Sequence, residues 1–177
     1  MVRRRPMLLV LTGPVHAGKT SFLARVLPGW RARGLACDGF LSPAAAGGGY
    51  DLLEIASGRR RPYLRRDGQA GAERVGPYVF VPETLERART ILRQARPGGL
   101  LVVDEVGPLE LEGGGLWPAL GGALAVRTGH SLLVVREAIL DAAAARLAPA
   151  APAVVDVRDP AAGDRLESHL FGAAEIP

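Results

Sequence analysis

The segment GPVHAGKT, residues 13–20, decides how the rest of the chain is interpreted. It fits the pattern G-x-x-x-x-G-K-[ST] at every specified position. It also contains Lys19, the only lysine among 22 lysine and arginine residues. A compact ammonium on a slim stem folds back along a glycine-bounded loop, where a broad guanidinium fork does not fit. The segment therefore predicts a loop that wraps around phosphate groups.

The flanking segments supply the context that such a loop requires. The short apolar run MLLVLT, residues 7–12, predicts a buried strand. KTSFLARVL, residues 19–27, has apolar side chains at helical spacing. Pro28 and Gly29 are expected to end or kink this helix, because proline lacks the amide donor and crowds the preceding turn. Strand, loop and helix in this order place phosphates at the helix amino end, where the helix dipole is positive.

The residues of the loop have different expected roles in the nucleotide site. Lys19 reaches the outer phosphates, and the Thr20 hydroxyl is a ligand for Mg²⁺. His16 is expected to point away from the phosphates, in a contact or structural role. The expected nucleotide-binding residues of this segment are Gly13, Pro14, Val15, His16, Ala17, Gly18, Lys19, Thr20 and Ser21.

A second segment, LLVVDEVGPLEL at residues 100–111, places acids at the end of an apolar run. A continuous apolar run between glycines suits a strand buried on both faces of a parallel sheet. Asp104 and Glu105 then lie at its carboxyl end, where open α/β sheets bind their ligands. We expect the two acids one strand away from the phosphate loop. Asp104 would bind Mg²⁺ together with Thr20, and Glu105 would orient and deprotonate the attacking water.

The remaining segments predict an α/β fold in a single domain, residues 1–177. PETLERARTILRQAR, residues 82–96, is the clearest helix, with proline and an acid at its start and Pro97 and Gly98 after it. Helical and strand patterns alternate after residue 116, which indicates a doubly wound, mostly parallel sheet. Short strands in LACDGFLS, GYDLLEIAS and PYLRR indicate a small antiparallel excursion near residues 39–81.

Composition narrows the class of protein. The chain is 48% hydrophobic and 23% charged, with a net charge of +4. The single cysteine, Cys37, excludes an internal disulfide and a thiolate metal cluster, which favours a cytoplasmic setting. No apolar run is long enough to span a membrane. Arginine clusters at residues 3–5, 59–61 and 65–66 would suit nucleic acid or nucleotide phosphates, but aromatics are only 5% of the chain, which disfavours base stacking.

Five segments together resemble a known family. GPVHAGKT, the pair Gly39 and Phe40, GYDLLEIASG, RVGPYVF and DEVGPLEL occur in the order found in the thermophilic nucleoside triphosphatase family, which includes the cancer-related nucleoside triphosphatase. The resemblance covers nearly the whole chain and implies a P-loop NTPase with a RecA-like sheet. It also implies slow, Mg²⁺-dependent hydrolysis of ATP, GTP and other nucleoside triphosphates. By position, residues 13–20 would hold phosphates (Walker A) and residues 104–107 would form the acidic motif (Walker B).

The chain departs from this family pattern in three places. Pro28 interrupts a helix that family members usually continue. Ala44 to Ala46 stand where family members commonly carry an arginine before the glycines. The strand SLLVV runs into Arg136 and Glu137 where a Thr and His pair is usual. Arg136 either neutralises charge on the γ-phosphate, as a third catalytic residue with Lys19 and Glu105, or pairs on the surface with Glu137 or Asp141.

Several other polar residues have two open interpretations. Arg74 and the arginines between residues 59 and 66 either reach the phosphates or face solvent. Glu110 and Glu112 either cap the next helix or face solvent. Asp156, Arg158 and Asp159 follow the last predicted strand and are placed by topology at the border of the base.

Three functions remain open from the sequence. The first is hydrolysis, with water positioned by Glu105. The second is a nucleotide or small-molecule kinase, in which Asp38 activates an acceptor hydroxyl and the arginine cluster forms a lid. The third is a nucleotide-dependent switch or accessory ATPase that acts on a protein partner. A guanine-selective switch is disfavoured, because the usual Asn-Lys-x-Asp motif needs a second lysine. The base, the partner and the oligomeric state stay undetermined.

Overall fold

The computed structural model describes residues 6–148 and 150–172, so the arginine cluster at residues 3–5 lies outside the described residues. Within these ranges the chain forms nine strands and six α-helices. The strands are β1 (Leu8–Gly13), β2 (Cys37–Leu41), β3 (Tyr50–Glu54), β4 (Arg60–Arg65), β5 (Arg74–Val75), β6 (Tyr78–Phe80), β7 (Leu100–Val106), β8 (His130–Arg136) and β9 (Ala153–Asp156). The helices are α1 (Lys19–Ala32), α2 (Pro82–Gln94), α3 (Pro108–Leu111), α4 (Trp117–Ala125), α5 (Leu140–Leu147) and α6 (Ala162–Phe171). None of the helices described is long and apolar enough to cross a membrane.

The nine strands form one sheet in the order β5-β6-β4-β3-β2-β7-β8-β1-β9. The strands from β2 to β9 in this order pair in parallel. β3, β4, β6 and β5 extend the sheet with antiparallel pairs. This confirms the predicted α/β class with an antiparallel excursion. Because β8 lies between β1 and β7, one strand separates the phosphate loop from the acidic motif, as in a RecA-like sheet.

The core has two layers, one on each face of the parallel strands. Leu101 and Val103 of β7 pack on the side of α2, α4 and α5, and Leu100 and Val102 pack on the side of α1 and α6. Successive side chains of a strand point to opposite faces, so both registers of β7 are buried. This explains why β7 is apolar without alternation.

Helix α1 continues through Pro28 and Gly29 to Ala32, so the expected stop is wrong. Both residues are exposed, whereas Trp30 is fully buried and its indole donates to Glu167 of α6 at 3.0 Å. Burying a tryptophan removes roughly 150–250 Å² from water, or about 4–6 kcal/mol. That gain offsets the cost of an interior proline, about 3 kcal/mol.

Gly39 sets the approach of β2 to β7. Its φ is +104°, and a Cβ built on it would lie 1.9 Å from the Val102 carbonyl oxygen. Only glycine fits such a conformation and such a contact. The close pairing brings Ser42, just after β2, to the end of β7 where Asp104 lies.

Candidate active site

The phosphate loop connects the end of β1 to the start of α1. Gly18, directly before α1, has a φ of +83°, and His16 has a φ of +64° with an exposed side chain. The Ala17 amide donates to the Pro14 carbonyl at 3.2 Å and closes a turn. The loop therefore bends sharply at the amino end of the helix, the position that favours anions.

Lys19 folds back over this loop, as its place in the motif predicts. The side chain is buried, and Nζ donates to the carbonyl oxygens of Gly13 at 3.0 Å and Pro14 at 2.6 Å. Burial lowers the pKa of Lys19, while the carboxylates of Glu105 and Asp104 act in the opposite direction. A cation thus lies inside the loop, with two acids close enough to influence it.

Thr20 joins the loop to the acidic motif. Its hydroxyl donates to Asp104 Oδ2 at 2.7 Å, across the intervening strand β8. Asp104 is 2% exposed, and its burial raises the pKa to about 6, against hydrogen bonds from Ser42 and Thr20. A contact at this distance brings together two residues that are 84 positions apart in the chain.

The donor set at this contact fits Mg²⁺. A hydroxyl and a carboxylate oxygen lie side by side, and Mg²⁺ prefers such oxygen ligands. The part of the chain that the structure describes holds no group of three or more His, Cys, Asp or Glu residues suited to a metal. Mg²⁺ needs no such cluster, since it usually keeps several waters and binds through one or two protein groups and the substrate phosphates.

Ser42 is a site residue that the sequence analysis missed. Its backbone amide donates to Asp104 Oδ2 at 3.1 Å, and its hydroxyl donates to the Asp104 carbonyl oxygen. Ser42 directly follows β2, which pairs in parallel with β7. A polar residue after an apolar strand, at the same edge as the acidic motif, was the available signal.

Glu105 and Arg136 form an ion pair beside this contact. Arg136 is the last residue of β8, and the register places it opposite Gly13 of the loop. The side chains are 27% and 37% exposed, so the pair borders solvent. Of the two expected surface partners of Arg136, Glu137 instead pairs with Arg158. Arg136 therefore lies at the site, and its role in catalysis stays a prediction.

Comparison with known proteins identifies the family. A family model described as NTPase matches residues 8–158, most of the chain. The chain belongs to the NTPase family. This confirms the resemblance noted from the five sequence segments.

Curated relatives of this NTPase are nucleoside-triphosphatases by name. It is 32% identical over 137 residues to nucleoside-triphosphatase THEP1 of Methanopyrus kandleri, which covers 75% of this chain and 74% of the relative. It is 31% identical to THEP1 of Caldivirga maquilingensis over 58% of this chain and 60% of the relative. It is 34% identical to the bovine cancer-related nucleoside-triphosphatase homolog over 57% of this chain and 60% of the relative. The last two alignments span less than two thirds of the relatives' length.

Two solved structures share the fold of this NTPase. The solution structure of a human cancer-related nucleoside triphosphatase superposes with a TM-score of 0.69 at 24% identity, covering 93% of this chain and 96% of that one. The crystal structure of THEP1 from Aquifex aeolicus gives a TM-score of 0.62 at 20% identity, covering 93% and 99%. At such identities the likeness concerns the fold.

Asp38 lies at the wrong edge of the NTPase sheet to activate an acceptor. It is the second residue of β2 and pairs in register with Leu101, three residues before Asp104, or about 10 Å along the strand. Arg96 holds the Asp38 carboxylate through two side-chain contacts of 3.0 Å. The kinase interpretation based on this residue is therefore wrong.

Most of the arginines between residues 59 and 66 are held within the antiparallel extension of the NTPase. Arg60 and Arg65 both pair with Asp51, and Arg61 pairs with Glu54. Arg59, Arg66 and, on β5, Arg74 are exposed. The paired arginines have carboxylate partners of their own and contact no residue of the phosphate loop in these interactions.

The remaining candidates of the NTPase serve two different purposes. Glu110 is buried and accepts from the amides of Gly107 at 2.8 Å and Leu116 at 3.0 Å, the residues that directly precede α3 and α4. It therefore caps the start of both helices, whereas Glu112 is exposed. Asp156 ends β9, next to β1, and binds Arg158. Asp159 binds Arg165. A border role toward the base is a prediction for this group.

Proposed function

We propose that this NTPase hydrolyses nucleoside triphosphates, ATP and GTP among them, to diphosphate and phosphate with the help of Mg²⁺. The observation that carries the proposal is the contact of 2.7 Å between Thr20 and Asp104. It brings the phosphate loop and the acidic strand end to one point at the carboxyl edge of the sheet, where open α/β sheets bind ligands.

Phosphate binding is assigned to the loop. Backbone amides at the start of α1 would surround the polyphosphate, and the Lys19 ammonium would exchange its two carbonyl acceptors for phosphate oxygens. Thr20 and Asp104 would hold Mg²⁺, which when bound neutralises charge on the outer phosphates. Ser42 would keep the Asp104 carboxylate in place through its amide.

Water activation is assigned to Glu105. Its carboxylate is partly exposed, so water reaches it, and it directly follows the proposed Mg²⁺ ligand Asp104. Arg136 contacts Glu105 and would stabilise negative charge on the γ-phosphate as it transfers to water. Because Glu105 and Arg136 are in contact, both side chains would lie beside the same γ-phosphate.

A reducing, cytoplasmic location is part of the proposal, because the chain has a single cysteine, Cys37, and so cannot form an internal disulfide. The thiol is buried, and burial raises its pKa to about 11. A thiol of this kind stays protonated and takes little part in disulfide chemistry. We expect Cys37→Ala to leave activity unchanged and to lower the free energy of unfolding slightly, because it leaves a small cavity.

Phosphate release from a panel of nucleoside triphosphates, with and without Mg²⁺, tests the proposal. Asp104→Asn should lower turnover at least about 100-fold, because it removes a metal ligand. Asp38→Asn is the matched control, an ion-paired aspartate at the opposite edge that should keep turnover. Equal effects of the two substitutions would contradict the proposal. A large rate that depends on an added acceptor would replace hydrolysis by phosphoryl transfer.

A further inference from the structure

Two tyrosines and an arginine lie beside the reactive edge without a part in the proposed hydrolysis. We infer that Tyr50, Tyr78 and Arg66 form a second ligand subsite, which binds a planar aromatic anion of mononucleotide size. The inference rests on the proposed function only for the position of the outer phosphate.

Backbone pairing places this subsite next to the acidic motif. Tyr50 starts β3 and forms a bridge with Ala44, two residues after Ser42. Ser42 in turn contacts Asp104. Tyr50 therefore lies at the same edge of the sheet as Asp104, with β2 between β3 and β7.

The two rings form an open aromatic pair. Their centroids are 5.4 Å apart at an interplanar angle of 75°, and both side chains are partly exposed. The third tyrosine of the chain, Tyr63, is by contrast buried in the core between Phe40 and Phe80. The chain is only 5% aromatic, yet two of its three tyrosines meet at the reactive edge. Aromatic faces of this kind stack on planar ligands.

The subsite contains one cation without an acidic partner among the described residues, Arg66. The Arg66 guanidinium lies 5.6 Å from the centre of the Tyr78 ring, and, in contrast to Arg60 and Arg65, it forms no ion pair with any residue in the described ranges. Burial raises the pKa of the Tyr50 hydroxyl; Arg136 opposes this, and its partner Glu105 acts in the same direction as burial, so that ion pair adds little net charge at the subsite. An aromatic ligand with a phosphate or carboxylate suits such surroundings.

The base of the hydrolysed nucleotide cannot fill this subsite. Its outer phosphate faces the contact between Thr20 and Asp104, so its base lies at the other end of the polyphosphate. The inner phosphates lie on the loop that follows β1, and β3 is four strands from β1 in the sheet, or about 19 Å at ~4.8 Å per strand. A second molecule is therefore required. A pair of rings offers room for one base, whereas a run of single-stranded nucleic acid needs successive stacking positions.

Calorimetric titration of AMP, GMP, CMP and UMP into protein saturated with ADP and Mg²⁺ tests the inference. At least one monophosphate should bind at one additional site per chain. Tyr78→Leu should weaken that binding at least about fivefold, the lower end for one stacked base. Tyr78→Phe keeps the ring and should retain it, which separates stacking from folding defects. Arg66→Gln should weaken binding about three- to fivefold.

Arg146→Gln is the matched control. Arg146 lies 4.4 Å from the centre of the Trp117 ring, a second arginine and aromatic contact on other elements of the fold. Its replacement should leave monophosphate binding unchanged.

Three results would overturn the inference: no additional site in the unchanged protein, equal losses in the Arg66 and Arg146 variants, or an oligouridine that binds far more tightly than UMP. The last result would mean that the subsite binds single-stranded nucleic acid. Failure of the proposed hydrolysis is separate, because a tyrosine-dependent site can be measured in a protein that releases no phosphate. Asp104→Asn should abolish phosphate release and leave the additional site in place.

Discussion

Glu105→Gln provides a direct test of the proposed mechanism. The substitution keeps the size of the side chain and removes the proton acceptor. Positioned general bases contribute about 10²–10⁴-fold to rate, so we expect turnover to fall by that factor, or about 2.7–5.4 kcal/mol of barrier. Nucleotide binding should persist, because Lys19 and the loop are unchanged.

The ion pair with Arg136 sets a second magnitude. Its side chains are 27% and 37% exposed, so breaking it should lower the free energy of unfolding by no more than about 1 kcal/mol. Arg136→Met should also lower turnover. Because the two side chains are in contact, the double variant should deviate from additivity by about 0.5–3 kcal/mol in activation free energy.

Single-turnover phosphate release, calorimetric nucleotide binding and thermal unfolding together measure these quantities. Glu137→Gln is the matched control, since Glu137 pairs with Arg158 at 2.9 Å and is half exposed. It should change turnover less than about twofold. The reasoning is refuted if Glu105→Gln retains turnover within tenfold of the unchanged protein, or if the Glu137 control loses as much.

Three further predictions concern the supporting structure. Glu54 is buried and forms ion pairs with Arg87 and Arg61, which lower its pKa from 4.5 to about 2. Because both arginines are partly exposed, we expect the ionised carboxylate to add only roughly 2 kcal/mol to the free energy of unfolding at neutral pH. That contribution should disappear as the pH falls from about 4.5 to about 2, and acid titration of unfolding should show a flatter profile for Glu54→Gln. Gly39→Ala should lower the free energy of unfolding, measured in urea, by more than about 3 kcal/mol, because the new Cβ would lie 1.9 Å from a backbone oxygen. Gly29→Ala, at a helix position with no neighbouring atom within 4 Å, should raise it by about 0.5–1 kcal/mol. Ser42→Ala removes the hydroxyl that donates to the Asp104 carbonyl oxygen and keeps the amide that donates to the carboxylate. Mn²⁺ binding to the nucleotide complex, measured by electron paramagnetic resonance, should therefore weaken by no more than about fivefold, and Ser42→Thr should restore it.

Local pattern accounts for the elements that the sequence predicted well. The helix expected at residues 82–96 is observed as Pro82–Gln94, since proline at its start and Pro97 with Gly98 after it mark its ends. The run that contains Asp104 is observed as β7, buried on both faces. The predicted end of α1 at Pro28 was wrong, because a contact with a distant residue outweighed the local propensity. The helix continues through Pro28, and Trp30 packs against α6.

Spacing along the chain was enough to predict the phosphate loop, the acidic strand end and the parallel α/β class, because each follows from the short-range pattern of glycine, lysine, acids and apolar residues. The contacts between distant residues, in contrast, follow only from the folded sheet. Strand order and register put Ser42 and Thr20 on Asp104, paired Arg136 with Glu105, and left Asp38 at the far edge. Contacts of this kind join residues dozens of positions apart, and they depend on which strands pair, a choice made by packing of the whole sheet.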